Sequence, residues 1–127
     1  MYKEIIISVI VVVAIIGIDL IAQQNTKNNI GFIISELEEL KENIKKEDKE
    51  KVNEKMDMLN SEWEEIYNKM AIYIEHDELE KVKTNMVALE GFIEVEDYET
   101  GINELNKSVY VLQHIAEKYD FSIVNVF

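Results

Sequence analysis

The sequence predicts an all-α protein: an N-terminal transmembrane helix, then a small antiparallel helical bundle with an apolar C-terminal tail. Three observations carry that reading. Residues 5–22 form an apolar run in which Asp19 is the one charged residue. Pro is absent and Gly occurs only 4 times in 127 residues, so few positions break a helix. Beyond the run, apolar residues recur at spacings of three and four, which puts them on one face of a helix.

The run comes first. As a helix it would extend about 27 Å at 1.5 Å per residue, close to the hydrocarbon thickness of a bilayer. Ser8, Ala14 and Gly17 are its only small or polar breaks before Asp19, so it shows no polar stripe and is apolar all round. Three readings compete: a cleaved signal peptide, an uncleaved anchor and a buried helix of a soluble protein. Cleavage after Ala22 would put Leu20 where signal peptidase needs a small residue, which favours the uncleaved anchor. Asp19 then falls in the last turn, where its carboxylate reaches the aqueous rim. Ala14 and Gly17 stand three apart, not four, so the small-xxx-small pattern for helix pairing is not met. Lys3 and the terminal amine precede the run, and Lys27 follows only at a distance. The positive-inside rule therefore puts the N-terminus in the cytoplasm and the rest outside. The expected division is a signal anchor over residues 1–22 and an acidic extracytoplasmic bundle over 23–127, in a single-pass cell-membrane protein.

Four stripes define the helices. Ile30, Ile33, Ile34, Leu37, Leu40 and Ile44 extend the membrane helix outward, since only Asn28, Asn29 and Gly31 interrupt it. Val52, Met56, Leu59, Trp63, Ile66, Met70 and Tyr73 form the second, widened by Tyr67 and Ile74. Leu79, Val82, Met86, Leu89 and Ile93 form the third; Tyr98, Ile102, Leu105, Val109, Leu112, Ala116 and Tyr119 form the fourth. Residues 45–51 hold no apolar side chain and are read as a turn, because one uninterrupted helix would leave its stripe unpaired. A second boundary falls at His76-Asp77, with Asp77 as N-cap and Glu80 completing a capping box. A third falls at residues 94–97, with Asp97 as cap. Connections this short make neighbouring helices antiparallel. The tail, Phe121 to Phe127, is apolar and β-branched. It is expected to pack along the bundle or to dock on a membrane or a partner.

Charge and composition narrow the function. The chain has 13 Lys and no Arg against 26 Asp plus Glu, a net charge of −13. A field of that sign repels phosphates, so nucleic acid is an improbable partner. No Cys is present, which removes thiol catalysis, thiolate metal sites and disulfides. Gly-rich phosphate loops, GxSxG and HExxH are absent. The two histidines are His76 and His114; neither belongs to a Glu-x-x-His pair, since Tyr73 and Val111 stand three residues before them. Antiparallel packing could still bring the start of the third helix near the end of the fourth. Trp63, Tyr67 and Tyr73 form an aromatic cluster better explained by core packing than by a ligand cage. The abundant carboxylates include no pair that the sequence marks as desolvated.

Trp63, the run Tyr73-Ile74-Glu75-His76-Asp77-Glu78-Leu79, the pair Glu104-Leu105, the run His114-Ile115-Ala116-Glu117 and the closing Phe121-Ser122-Ile123-Val124-Asn125-Val126-Phe127 together resemble the DUF4363 family of single-span Firmicutes membrane proteins, to which no activity is assigned. The N-terminal anchor fits the same resemblance. The family pattern carries Pro where this chain has Ala116, which implies a last helix that runs further, toward Tyr119. The resemblance implies a shared structural or docking role for His76, His114, Phe121 and Phe127. The expectation is a non-enzymatic, membrane-anchored helical protein without cofactor or metal, acting through protein contacts and accessory to a larger membrane protein. The alternative is an extracytoplasmic bundle that senses a ligand or binds a cation.

Overall fold

The computed structural model describes residues 2–72 and 74–120, apart from the side chains of Tyr119 and Asp120. It contains helices α1 (Tyr2–Lys45), α2 (Lys49–Met70), α3 (His76–Glu94) and α4 (Tyr98–Asp120). The turn read in residues 45–51 is present and short: α1 ends at Lys45 and α2 begins at Lys49.

α1 is continuous over 44 residues. Its two halves have opposite surroundings. Ile5, Ile7, Ile10, Val13, Ile15 and Ile21 are all exposed, and the first buried side chain is Thr26. From there Ile30, Ile33, Leu37, Leu40 and Ile44 are buried at helical spacing, the stripe that the sequence predicts. Among the described residues this is the one helix long and apolar enough to cross a membrane, and no residue of its apolar window is buried.

The outer part of α1 packs against both α2 and α4, α3 lies mainly on α4, and the α2–α3 seam is the lightest of the four. Neighbours around this ring are antiparallel. The core gathers Leu59, Met70, Leu79, Met86, Leu89, Leu105, Leu112 and Ile115, each 2% exposed or less, with Trp63 beside them. The fourth stripe is shifted from expectation: Ser108 and Ile115 are buried, while Tyr98, Ile102 and Ala116 lie at its edge. Ser108 is tolerated there because its hydroxyl donates to the Glu104 carbonyl over 3.1 Å. α4 runs to Asp120, in keeping with Ala116 where a proline would have stopped it.

Capping separates the helix starts. Asp97 caps α4, accepting from the Thr100 amide at 3.3 Å, and Asp48 caps α2 in the same way through Lys51 at 3.2 Å. Asp77 does not cap α3. That helix begins two residues earlier than expected, at His76, and Glu75 occupies the cap without a side-chain bond. The Glu75 carbonyl already accepts from the Glu78 and Leu79 amides. Asp77 therefore sits inside the first turn, where its charge complements the helix dipole. Glu80 is drawn away toward Tyr67 instead of closing a capping box.

Candidate functional site

The polar residues of the bundle collect in three places, each set by a seam between helices. The first is the α1–α2 seam. Lys55 on α2 forms ion pairs with Glu36 and Glu39 on α1, the latter at 3.0 Å. Lys55 and Glu36 retain only 12% and 13% of their side-chain exposure. Burial works against the Lys55 charge, but its hydrogen bonds to both glutamates outweigh that and raise its pKa. Glu62, two turns further along α2, has one carboxylate oxygen buried without a partner. Desolvation, reinforced by the Glu36 charge, holds the Glu62 carboxyl above its ordinary range despite the attraction of Lys55.

The second is the α2–α3 seam, where light packing leaves a cavity of about 280 Å³ beside Trp63, Tyr67, Met86 and Val87. Trp63 and Tyr67 meet edge to face at 5.9 Å, and Lys83 lies 5.6 Å from the Tyr67 ring centre. The Tyr67 hydroxyl donates to Glu80 over 2.8 Å, a bond that raises the phenol pKa. His76 joins this group. Its Nδ1 stands 3.5 Å from the Tyr67 hydroxyl and its Nε2 3.6 Å from Glu80.

The third is the α3–α4 seam. Glu78 in the first turn of α3 is buried, and Lys118 in the last turn of α4 donates to it over 3.1 Å; Lys118 also lies 3.6 Å from Glu75. The second oxygen of Glu78 is buried without a hydrogen-bond partner. Beside Glu78, a cavity of about 240 Å³ is lined by Lys81, Tyr110, Val111 and His114. It shares Lys81, Tyr110 and Val111 with an open groove of about 690 Å³ that continues up the seam past Thr84, Asn85, Asn103 and Asn106.

His76 and His114 therefore serve different seams, one against α2 and one facing the α3–α4 cavity. Among the described residues no three His, Asp or Glu side chains converge as metal ligands. Phe121 and Phe127 lie outside the described residues, as does Tyr73 of the aromatic cluster. The Glu78–Lys118 and Glu36–Lys55–Glu62 groups escaped the sequence reading because acids and lysines of this density look alike until seam positions are fixed. A usable signal exists in hindsight: Lys55 and Glu62 stand seven apart, on one face of α2.

The architecture defines a class, a long N-terminal helix with an exposed apolar segment carrying an up-and-down four-helix bundle. The chain belongs to the family described as a domain of unknown function, DUF4363, whose model matches residues 20–126. That match takes in the whole bundle and begins at Leu20, near the end of the apolar segment. No curated protein and no solved structure matches the chain.

Proposed function

We infer that this is a non-enzymatic, single-span membrane protein whose bundle stands outside the cytoplasmic membrane and works through contacts with other proteins, as an accessory part of a larger membrane assembly. One observation carries the reading. The apolar segment and the core stripe of the bundle lie on one unbroken helix, so lipid and bundle are joined by a rigid stalk rather than a tether. A bundle held this way is fixed in height above the bilayer, which suits docking against a neighbouring membrane protein. Lys3, just before the apolar segment, supports a cytoplasmic position for that end of the helix. The half-buried Glu36 and the buried Glu78 are both engaged by lysines, an arrangement suited to holding helices together.

The test has two arms. The chain has no Cys, so Tyr110→Cys supplies a unique thiol. In intact cells a membrane-impermeant maleimide should label it without permeabilisation; labelling only after permeabilisation would reverse the orientation. Photo-crosslinkers placed at Met58 and Val87, both exposed, should join the full-length protein in native membranes to discrete polypeptides or to itself. Recovery of neither would sink the protein-contact reading.

A further inference from the structure

The α3–α4 groove is charge-balanced although the chain is strongly acidic. Its charged lining consists of Asp77 and Glu80 against Lys81 and Lys107, two of each sign, in a chain of net charge −13. Its walls are otherwise mostly carbon, contributed by side-chain stems and by Val111. Tyr110 stands at its edge with 71% of its surface exposed, although no packing in the bundle requires an aromatic there. The side chains of Asn85 and Asn103 make no hydrogen bond among the described residues. Asn106 spends only its carbonyl, on Lys41 at 3.1 Å, and keeps its amide protons. At the lower end Glu78, 8% exposed, lines the adjoining cavity.

We propose that this groove binds an extended, uncharged segment of a partner polypeptide, with the carboxamides of Asn85, Asn103 and Asn106 pairing with its backbone. The proposal rests on the protein-contact reading and names the surface and the chemistry of the occupant. A carboxamide offers an acceptor beside two donors, the complement of a peptide group. On α4, Asn103, Asn106 and Tyr110 follow one another at rises of roughly 4.5 and 6 Å, so polar groups recur along the groove. Groove and adjoining cavity together run about 16 Å from Asn103 to His114, room for about five extended residues. Balanced charge disfavours a strongly acidic or basic occupant, which would leave two lining charges opposed. A glycan would use the same hydroxyl and amide groups, but a single tyrosine provides one stacking face, whereas the long carbon walls suit alternating apolar side chains. The site also stands clear of lipid. The Lys41–Asn106 bond fixes the α1–α4 register, which places His114 level with Ile33, about 18 Å along α1 from Ile21.

The experiment is an NMR titration of full-length protein in lipid nanodiscs, with the side-chain amides of asparagine and the tyrosine rings labelled. The probe is a pooled set of capped pentapeptides built from Ala, Val, Ser and Thr. Saturable shifts are expected at Asn85, Asn103, Asn106 and Tyr110. The pool carrying Lys or Glu at alternate positions should bind at least tenfold more weakly. The Asn85→Ala/Asn103→Ala double variant should lose roughly tenfold or more in affinity, the effect of about 1.4 kcal/mol or more from lost hydrogen bonds. Tyr110→Ala should weaken binding as well, and both variants keep the parent helicity because the replaced side chains lie outside the core. Silence in the groove, equal response to charged pools, or a response to an N-acetylglucosamine tetramer alone would overturn the proposal. If the groove is silent while Met58 or Val87 still crosslinks to a polypeptide, this site falls and the protein-contact reading stands.

Discussion

Lys49 at the start of α2 lies 2.8 Å from Glu96 in the α3–α4 turn, tying together two connections built to one plan. In each, a Glu takes a left-handed backbone, with φ of 57° at Glu47 and 60° at Glu96, and the next residue is the Asp that caps the following helix. The hydrogen bonds correspond as well: Asp48 to Asn43 with Glu47 to Ile44, and Asp97 to Phe92 with Glu96 to Ile93. This is the helix-ending arrangement in which glycine normally occupies the left-handed position.

Glu47→Gly should therefore raise stability by about 1 kcal/mol, since glycine removes the Cβ strain of the left-handed conformation. Glu96→Gly relieves the same strain but loses the Lys49 pair, so its gain should be equal or smaller. Chemical denaturation of each variant measures both; a destabilised Glu47→Gly would contradict the shared plan.

The Glu78–Lys118 bond closes the base of the bundle between residues forty apart in sequence. Replacing Lys118 by Met strips an ammonium donor from a carboxylate whose side chain is 11% exposed. Lys118→Met should cost roughly 1–3 kcal/mol, the penalty of a buried, unpaired acceptor. Adding Glu78→Gln should recover part of that loss. A double-mutant cycle without coupling would show that the pair does not hold α3 to α4.

Legibility in the sequence followed burial. Every stripe residue of α1 from Ile30 to Ile44 apart from half-buried Ile34, and all five of α3, is in the core, because the 3.6-residue period directly reports which face meets other helices. Ser108 was invisible because its polarity hides the packing role that its bond to Glu104 permits. Asp77 was misplaced by one turn chemistry competing with another: an Asp before a capping-box Glu looks like a cap, yet the Glu75 carbonyl had already opened the helix. The site was less legible still. Nothing in Asn85, Asn103 or Tyr110 singles them out until α3 and α4 are laid side by side.

Glu62 predicts an unusual pH response. Desolvation first and the Glu36 charge second hold its folded-state carboxyl above the ordinary carboxylate range. A carboxyl raised on folding contributes stability below its unfolded pKa and loses it as pH climbs through the folded one. Glu62→Gln removes that loss. The variant should be more stable than the parent at pH 7, with the difference shrinking as pH falls toward the ordinary carboxylate range. Paired melts across that window check the sign, and a gap that widens on acidification would contradict it.

Gly101 lies in the second turn of α4 and is buried against α3. A Cβ there would stand 3.7 Å from Leu89 Cδ1 and 3.7 Å from Phe92 Cβ, ordinary contact distances. Gly101→Ala should thus gain about 0.5–1 kcal/mol from helix propensity without a clash. Gly101→Leu has no such room and should destabilise, so the pair of variants measures how closely α3 and α4 approach at this point.

The stalk gives the last prediction. Among the described residues none before Thr26 is buried, so the core of the bundle owes nothing to the apolar segment. Removing residues 2–22 should leave a cooperative helical fold whose melting is close to that of the full chain, while abolishing sedimentation with membranes under alkaline carbonate. Exchanging Asn25 for Pro asks a different question. It removes a backbone donor and kinks the helix between the apolar segment and the core, at a cost of about 3 kcal/mol locally. The bundle should survive, because the kink precedes its first core stripe, but its height and tilt above the bilayer change. If partner crosslinks from Met58 and Val87 persist unchanged in Asn25→Pro, a rigid stalk is not what presents the bundle.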